Sequence, residues 1–189
     1  FMGITFLEKE KVFRLDTPNT SYYMGISDDK YLGHIYYGKK LKETNIRYLL
    51  REQEAPFVPS VNGRDKLSYM DCFPMEYPTH GVGDFREDAI AVRTKGGHTA
   101  LELHYKGHEI IKGKPMPEGL PATFGGEDDC ETLKVYLQDE VLSLEVVLSY
   151  SVFKDADAIA RDVKVINHGE EEIFLTKVYS ACMDMDNKD

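Results

Sequence analysis

Residues 142–152, L-S-L-E-V-V-L-S-Y-S-V, decide the fold, because every second residue in this stretch is Leu, Val or Tyr. A side-chain period of two places these residues on one face of an extended strand. An amphipathic helix would need a period of 3.6 instead. The stretch therefore predicts a long β-strand with one face in a hydrophobic core.

The flanking segments repeat this alternation, and Asn, Asp, Gly and Pro clusters separate them. From residue 11 to residue 38, β-branched and aromatic runs recur at intervals of roughly 10 residues, as successive hairpins do. No helix longer than two turns is predicted, and the fold class expected from the residues is an all-β antiparallel sandwich. The residues that share one face with each other are Leu133, Val135 and Leu137 before residues 142–152, and Ile159, Arg161, Val163 and Val165 after them.

The segment from Ile173 to Met183 is apolar on both faces near Phe174 and Val178. A strand that is covered on both faces has this pattern. The sequence therefore predicts a central strand here.

The composition excludes several classes of function. The chain has 189 residues, 42% of them hydrophobic, and a formal net charge of −10, which disfavours binding to nucleic acid or to an anionic membrane. No apolar run approaches the roughly 18 residues that span a bilayer. Three isolated cysteines without a C-x-x-C pair, and a start without the features of a secretory signal, predict free thiols and a cytoplasmic protein.

Two acidic segments and one pair of histidines are potential metal ligands, but each has a simpler structural explanation. Residues 127–129 and 184–187 are acidic, but the second has Lys188 where a calcium loop needs another oxygen, so solvated turns are expected. His104 and His108 would lie more than about 12 Å apart in a strand, too far for one ion. Neither metal nor cofactor is predicted, and no nucleophile or phosphate-binding motif marks a catalytic residue.

The densest group of polar and special residues is M-E-Y-P-T-H-G-V-G-D-F-R at residues 75–86, inside the proline-interrupted region 41–90. Long connections in a sandwich tend to carry function. In an extended segment Asp84 and Arg86 would lie on one side, where they could hold a loop shut or pair with a neighbouring subunit. A structural clasp is the simpler interpretation.

This group also resembles the signature of the N-terminal domain of glycoside hydrolase family 36, the α-galactosidase and raffinose-utilisation family. The matching pattern is Glu76-Tyr77-Pro78-x-x-Gly81-x-Gly83-Asp84-Phe85-Arg86. Shorter matches occur in the same order along the chain, at residues 31–39, 112–115, 119–123 and 131–133. The resemblance covers roughly residues 10–185.

The resemblance implies a large, twisted β-sandwich of the galactose mutarotase-like kind (a supersandwich), followed by a catalytic (β/α)₈ barrel. In family members a Lys-Trp-Asp motif of the barrel supplies the nucleophile, and a second Asp is the acid/base of a retaining hydrolysis. This chain contains no Trp, so the nucleophile motif is absent from it. The expectation is a single domain, residues 1–189, cut off before the barrel and without catalytic residues of its own.

The resemblance also implies homo-oligomers in which a loop of this domain reaches the galactose pocket of an adjacent subunit. An acidic residue ahead of the Glu-Tyr-Pro motif contacts sugar hydroxyls there, and Glu54 or Glu52 occupies the matching stretch. Glu76, Tyr77, Asp84 and Arg86 are expected to form a structural or interface motif.

Two other functions remain open at this point. A free-standing carbohydrate-binding sandwich would stack sugars on aromatic side chains, for which the 12 tyrosines are available. A mutarotase-like enzyme would need a His and a Glu facing one sugar, and His34, His80 and His104 are the candidates.

Overall fold

The computed structural model describes residues 3–42, 45–52, 68–83 and 85–185. Within them the chain forms antiparallel strands and two short 3₁₀ helices, Arg47–Leu49 and Ser68–Asp71, which confirms the all-β prediction. The strands are β1 (Gly3–Leu7), β2 (Val12–Asp16), β3 (Thr20–Ile26), β4 (Leu32–Lys39), β5 (Ile90–Thr94), β6 (His104–Lys112), β7 (Cys130–Asp139), β8 (Leu144–Phe153), β9 (Ile159–Asn167) and β10 (Ile173–Val178).

The strands form three sheets that share one core. Two sheets have four strands each, in the orders β1-β2-β3-β4 and β6-β7-β8-β9, and the third pairs β10 with β5. One hydrophobic cluster contains residues of all three sheets, for example Phe13, Val92 and Leu148. This arrangement confirms the sandwich.

The alternation at residues 142–152 has the predicted consequence. Every alternate residue from Leu144 to Val152 is buried in the core, and β8 pairs with β7 over ten residues without a register shift. Leu142 lies in the turn before the strand and packs against the same core. The opposite face of β8 is also largely buried, and Ser151 shares a hydrogen bond of 2.7 Å with Thr132 of β7 there.

The prediction of a central strand from Ile173 to Met183 is wrong for the described structure. The strand, β10, ends at Val178, and β5 is its one partner among the described residues. Phe174, Leu175 and Val178 remain 41%, 48% and 42% exposed. An apolar pattern on both faces indicates that both faces of a strand tend to be buried. It does not show which segments of the polypeptide pack against them.

The remaining structural expectations concern cysteines and helices. Cys72, Cys130 and Cys182 are free thiols, as predicted. No helix in the described part of the chain has the length and apolarity needed to cross a membrane.

Candidate functional site

The segment that carries Glu76 lies against β4 like an additional short strand. Met75 forms an isolated antiparallel bridge with Gly33. The Glu76 amide donates to the carbonyl of Leu32 at 3.0 Å, and the His34 amide donates to the carbonyl of Pro74 at 2.7 Å. These bonds direct the Glu76 side chain into the sandwich, where it is fully buried.

Four donors surround the Glu76 carboxylate. Oε1 accepts hydrogen bonds from the hydroxyls of Tyr22 at 2.6 Å and Tyr150 at 2.8 Å. The Arg161 Nη2 atom lies 3.1 Å from the same oxygen, and His34 Nδ1 lies 3.1 Å from Oε2. The cluster joins β3, β4, β8 and β9 to the loop that carries Glu76, and we call these five residues the Glu76 network.

The electrostatics of the Glu76 network favour an ionised carboxylate. Burial alone would raise the pKa of Glu76, but the charge of Arg161 and the contacts from His34 and Tyr22 outweigh it, so the pKa is lowered. Burial, reinforced by the Glu76 charge, raises the pKa of Tyr22 and of Tyr150, so both hydroxyls stay protonated and donate. Arg161 also lies over the Tyr150 ring, 4.5 Å from its centroid.

This geometry bears on the mutarotase-like alternative, because His34 and Glu76 do come together. However, Glu76 has no exposed surface, and its lone pairs are already engaged by donors, so it cannot face a sugar in this arrangement. A carboxylate held in this way stabilises an ionic interior rather than accepting a proton from a ligand. The other two candidate histidines lie elsewhere. His80 lies 3.7 Å from Asp88, and His104 lies 3.4 Å from Glu102.

Glu76 was identified from its motif, whereas Tyr22, Tyr150 and Arg161 were not predicted to hold it. The available signal was Arg161, a charged residue on the face that β9 shares with Ile159, Val163 and Val165. A cation at a core-facing position requires a buried counter-charge. The sequence could not show which of the 33 acidic residues supplies it.

Tyr77 and Arg86 each anchor the same loop to the end of the described chain. The Tyr77 hydroxyl donates to the carbonyl of Tyr179 at 2.8 Å, and burial raises the pKa of Tyr77 to about 12. Arg86 donates from Nη1 to Asp184 at 2.7 Å and from Nη2 to the carbonyl of Met75 at 2.9 Å. Asp84 lies outside the described residues, so its pairing with Arg86 stays a prediction.

Of the two predicted sugar contacts, Glu52 is described and Glu54 lies outside the described residues. Arg47 Nη2 donates to both carboxylate oxygens of Glu52, at 3.0 and 2.8 Å. The amide of Asp28 donates to Glu52 as well, at 3.3 Å. Glu52 is thus engaged within its own chain.

A largely apolar cavity of about 630 Å³ lies at another place, near the turn between β7 and β8. His104 and Glu102 line it together with the apolar side chains of Val82 and Leu142. Its volume is that of a small-molecule site. Within the described ranges, no group of three or more His, Cys, Asp or Glu side chains is arranged to hold a metal ion.

Comparison with known proteins defines the class. A family model described as the glycosyl hydrolase family 36 N-terminal domain matches residues 30–189. The chain is 35% identical over 185 residues to the bifunctional alpha-galactosidase/sucrose kinase AgaSK of Mediterraneibacter gnavus, a match covering 97% of this chain and 20% of that protein. It is 38% identical over 188 residues to alpha-galactosidase Mel36A of Lactobacillus acidophilus, covering 98% of this chain and 26% of that protein.

The solved structures agree with the sequence matches. The GH36 alpha-galactosidase AgaB from Geobacillus stearothermophilus superposes with a TM-score of 0.84 at 36% identity, over 95% of this chain and 24% of that chain. Fold and motif together define an N-terminal β-sandwich domain of a glycoside hydrolase. The chain belongs to glycosyl hydrolase family 36. It spans 20 to 26% of the length of these two curated relatives.

Proposed function

We propose that this chain is the non-catalytic N-terminal domain of a retaining α-galactosidase that hydrolyses terminal α-galactosides such as melibiose and raffinose. The observation that carries the proposal is the sequence match to AgaSK, which covers 97% of this chain but only 20% of that bifunctional alpha-galactosidase/sucrose kinase. The chemistry then belongs to a barrel downstream in the longer protein. Its setting would be cytoplasmic, and its assembly a homo-oligomer.

Two of the described carboxylates, Glu76 and Glu52, support a non-catalytic role for the sandwich. Retaining glycosidases need two carboxyl groups only about 5–5.5 Å apart, with access to the sugar. Glu76 is sealed by its four donors, and Glu52 is held by Arg47. No Trp is present for the Lys-Trp-Asp motif.

We expect no turnover of a chromogenic α-galactoside by this chain, and clear turnover by the longer protein that contains it. The physical reason is that the nucleophile and the acid/base come from the barrel. Purified chain and longer protein are assayed at equal molar concentration. Turnover by this chain alone, or none by the longer protein, would contradict the proposal.

The same samples address the carbohydrate-binding alternative, which the cavity at Glu102 and His104 favours. Galactose or raffinose is titrated into this chain and followed by calorimetry. Saturable binding that Glu102→Gln removes would support a free-standing binding module. Heat of dilution alone would leave the α-galactosidase domain as the better description.

The domain is also proposed to lend a carboxylate to the galactose pocket of a neighbouring subunit. A relative, the α-galactosidase AgaA of Geobacillus stearothermophilus, has been solved in complex with raffinose. Because Glu52 is already paired with Arg47, Glu54 is the better candidate of the two. A carboxylate can accept hydrogen bonds from two adjacent sugar hydroxyls.

In the longer protein, Glu54→Gln is expected to lower kcat/KM for raffinose by about tenfold, the loss expected for one charged hydrogen bond. Glu52→Gln is the matched control, with the same chemical change two residues away. Its expected change is below about twofold, since a partly exposed ion pair contributes little. Steady-state kinetics give both values. Equal kinetics for Glu54→Gln and the wild type, or a larger loss for Glu52→Gln, would reassign the contact.

A further inference from the structure

The cavity of about 630 Å³ near the turn between β7 and β8 lies apart from the Glu76 network. Four separate parts of the chain line it: residues 81–82, the connection from β5 to β6, the turn between β7 and β8, and Glu171 between β9 and β10. Its walls are largely apolar, with Val82, Leu101 and Leu142 among them. A concave, mostly apolar space of this volume is typical of a site for a small molecule.

Asp139 fixes the shape of the cavity wall. Its side chain is buried, and Oδ2 accepts a hydrogen bond from the amide of Glu102 at 2.8 Å. Oδ1 accepts from the amides of Val141 and Leu142, both at 2.9 Å. Asp139 therefore ties the connection from β5 to β6 to the turn between β7 and β8, and the cavity is formed without a ligand.

Glu102 lines the cavity with one engaged and one free carboxylate oxygen. Oε1 accepts a hydrogen bond from the hydroxyl of Tyr31 and lies 3.4 Å from His104 Nε2. Burial raises the pKa of Tyr31, so that hydroxyl stays protonated and donates. Within the described residues, Oε2 has no hydrogen-bond partner. The carboxylate is thus held in place and can still accept a hydrogen bond from a ligand.

The charges around the cavity favour a cation. Glu102 and Glu171 have no lysine or arginine partner in the described part of the chain, whereas Glu140 is paired with Lys106. None of the described lining residues is itself a lysine or an arginine. The formal net charge of the whole chain, −10, attracts cations as well. A complementary ligand therefore has a positive charge and an apolar body.

We propose that this cavity binds a small organic ammonium ion, that is, a protonated amine on an apolar body. The ammonium group donates to Glu102 Oε2 and is attracted by Glu171, and the apolar body packs against Val82, Leu101 and Leu142. A free sugar fits less well, since the described lining residues include no Phe, Tyr or Trp on which it could stack. This site goes beyond the proposed function and does not rest on it.

Benzylamine and benzyl alcohol are matched probes, because they have the same shape and benzylamine alone is charged at pH 7. Each is titrated into this chain and followed by calorimetry. Benzylamine is expected to saturate one site with a dissociation constant of about 1 mM, in the range for so small a ligand. Benzyl alcohol should bind at least about fivefold more weakly, because a charge-assisted hydrogen bond is replaced by a neutral one. Equal affinity of the two probes, or no saturable binding of benzylamine, would overturn the proposal.

Two variants place the binding in this cavity. Glu102→Gln keeps the size of the side chain and removes its charge, and it should weaken benzylamine binding about fivefold, since Glu102 is partly exposed. Glu171→Gln, at an exposed position that does not put the fold at risk, should weaken it about twofold.

Glu109→Gln is the matched control. Its carboxylate on β6 is exposed to a similar degree, is paired with Lys134 and does not line the cavity, so benzylamine affinity should not change. Equal losses in Glu102→Gln and Glu109→Gln would mean that the net charge alone attracts the amine, and would overturn the proposal, as would full affinity in Glu102→Gln. No readout uses galactosidase activity, so this proposal and the proposed function can fail independently.

Discussion

Replacing Glu76 by Ala is expected to lower the free energy of unfolding by about 3–5 kcal/mol, the cost of removing one partner of a buried ion pair. Arg161 would keep its charge in the interior without a counter-charge. The hydroxyls of Tyr22 and Tyr150 would lose their shared acceptor at the same time. Urea unfolding followed by far-ultraviolet circular dichroism measures the change.

Milder variants keep this prediction testable if Glu76→Ala does not fold. Tyr150→Phe removes one of the donors and is expected to cost about 1–1.5 kcal/mol. Glu52→Gln is the matched control for a carboxylate paired with arginine, and it should cost less than about 1 kcal/mol because its pair is partly exposed. If Glu76→Ala and Glu52→Gln destabilise the chain equally, the Glu76 network does not hold the sandwich together.

The pH dependence of stability gives a second measurement of the Glu76 network. The folded-state pKa of Glu76 is lowered from the ordinary value of 4.5, chiefly because Arg161 and His34 overcome the effect of burial. The stabilisation is therefore complete above pH 4.5 and is lost as the pH falls through the lowered folded pKa. Glu76→Gln has no such group, so the difference in urea midpoint between wild type and Glu76→Gln should shrink on acidification. A constant difference would contradict the assignment.

Most of the fold could be predicted because its signal is local. A period of two over eleven residues predicts a strand and the face that it buries. β8 is a strand, and it buries the predicted face. Turn residues between the strands gave the antiparallel order for the same reason. The place of β10 could not be predicted, since an edge differs from an interior position only by what lies beside it in space.

The site was predictable only in part. The Glu-Tyr-Pro motif identified Glu76 through its resemblance to a family, whereas the network needs Tyr22, Tyr150 and Arg161 from three separate strands. Their convergence depends on strand register and on the distance between the sheets, and local sequence does not contain these quantities. The sugar contact of Glu52 stays a prediction, and in the chain itself Arg47, five residues away, engages its carboxylate.

Gly83, the second glycine of the family motif, is expected to be intolerant of Ala, with a loss of about 2–4 kcal/mol in the free energy of unfolding. Two costs add. Its φ of +90° is strained for a residue with a Cβ, and that Cβ would lie 2.7 Å from the carbonyl oxygen of Met70. Because Met70 presents backbone there, a side-chain rotation cannot relieve the contact.

Gly97 separates the two costs, since its φ is +89° and nothing lies within 4 Å of the Cβ position. Gly97→Ala should therefore show the backbone strain alone, about 1–2 kcal/mol. The excess loss in Gly83→Ala measures how tightly residues 81–83 press on the 3₁₀ helix Ser68–Asp71. Urea unfolding of both variants provides the comparison. Equal losses would mean that the loop moves away from Met70 at little cost, and that the second motif glycine serves conformation rather than close packing.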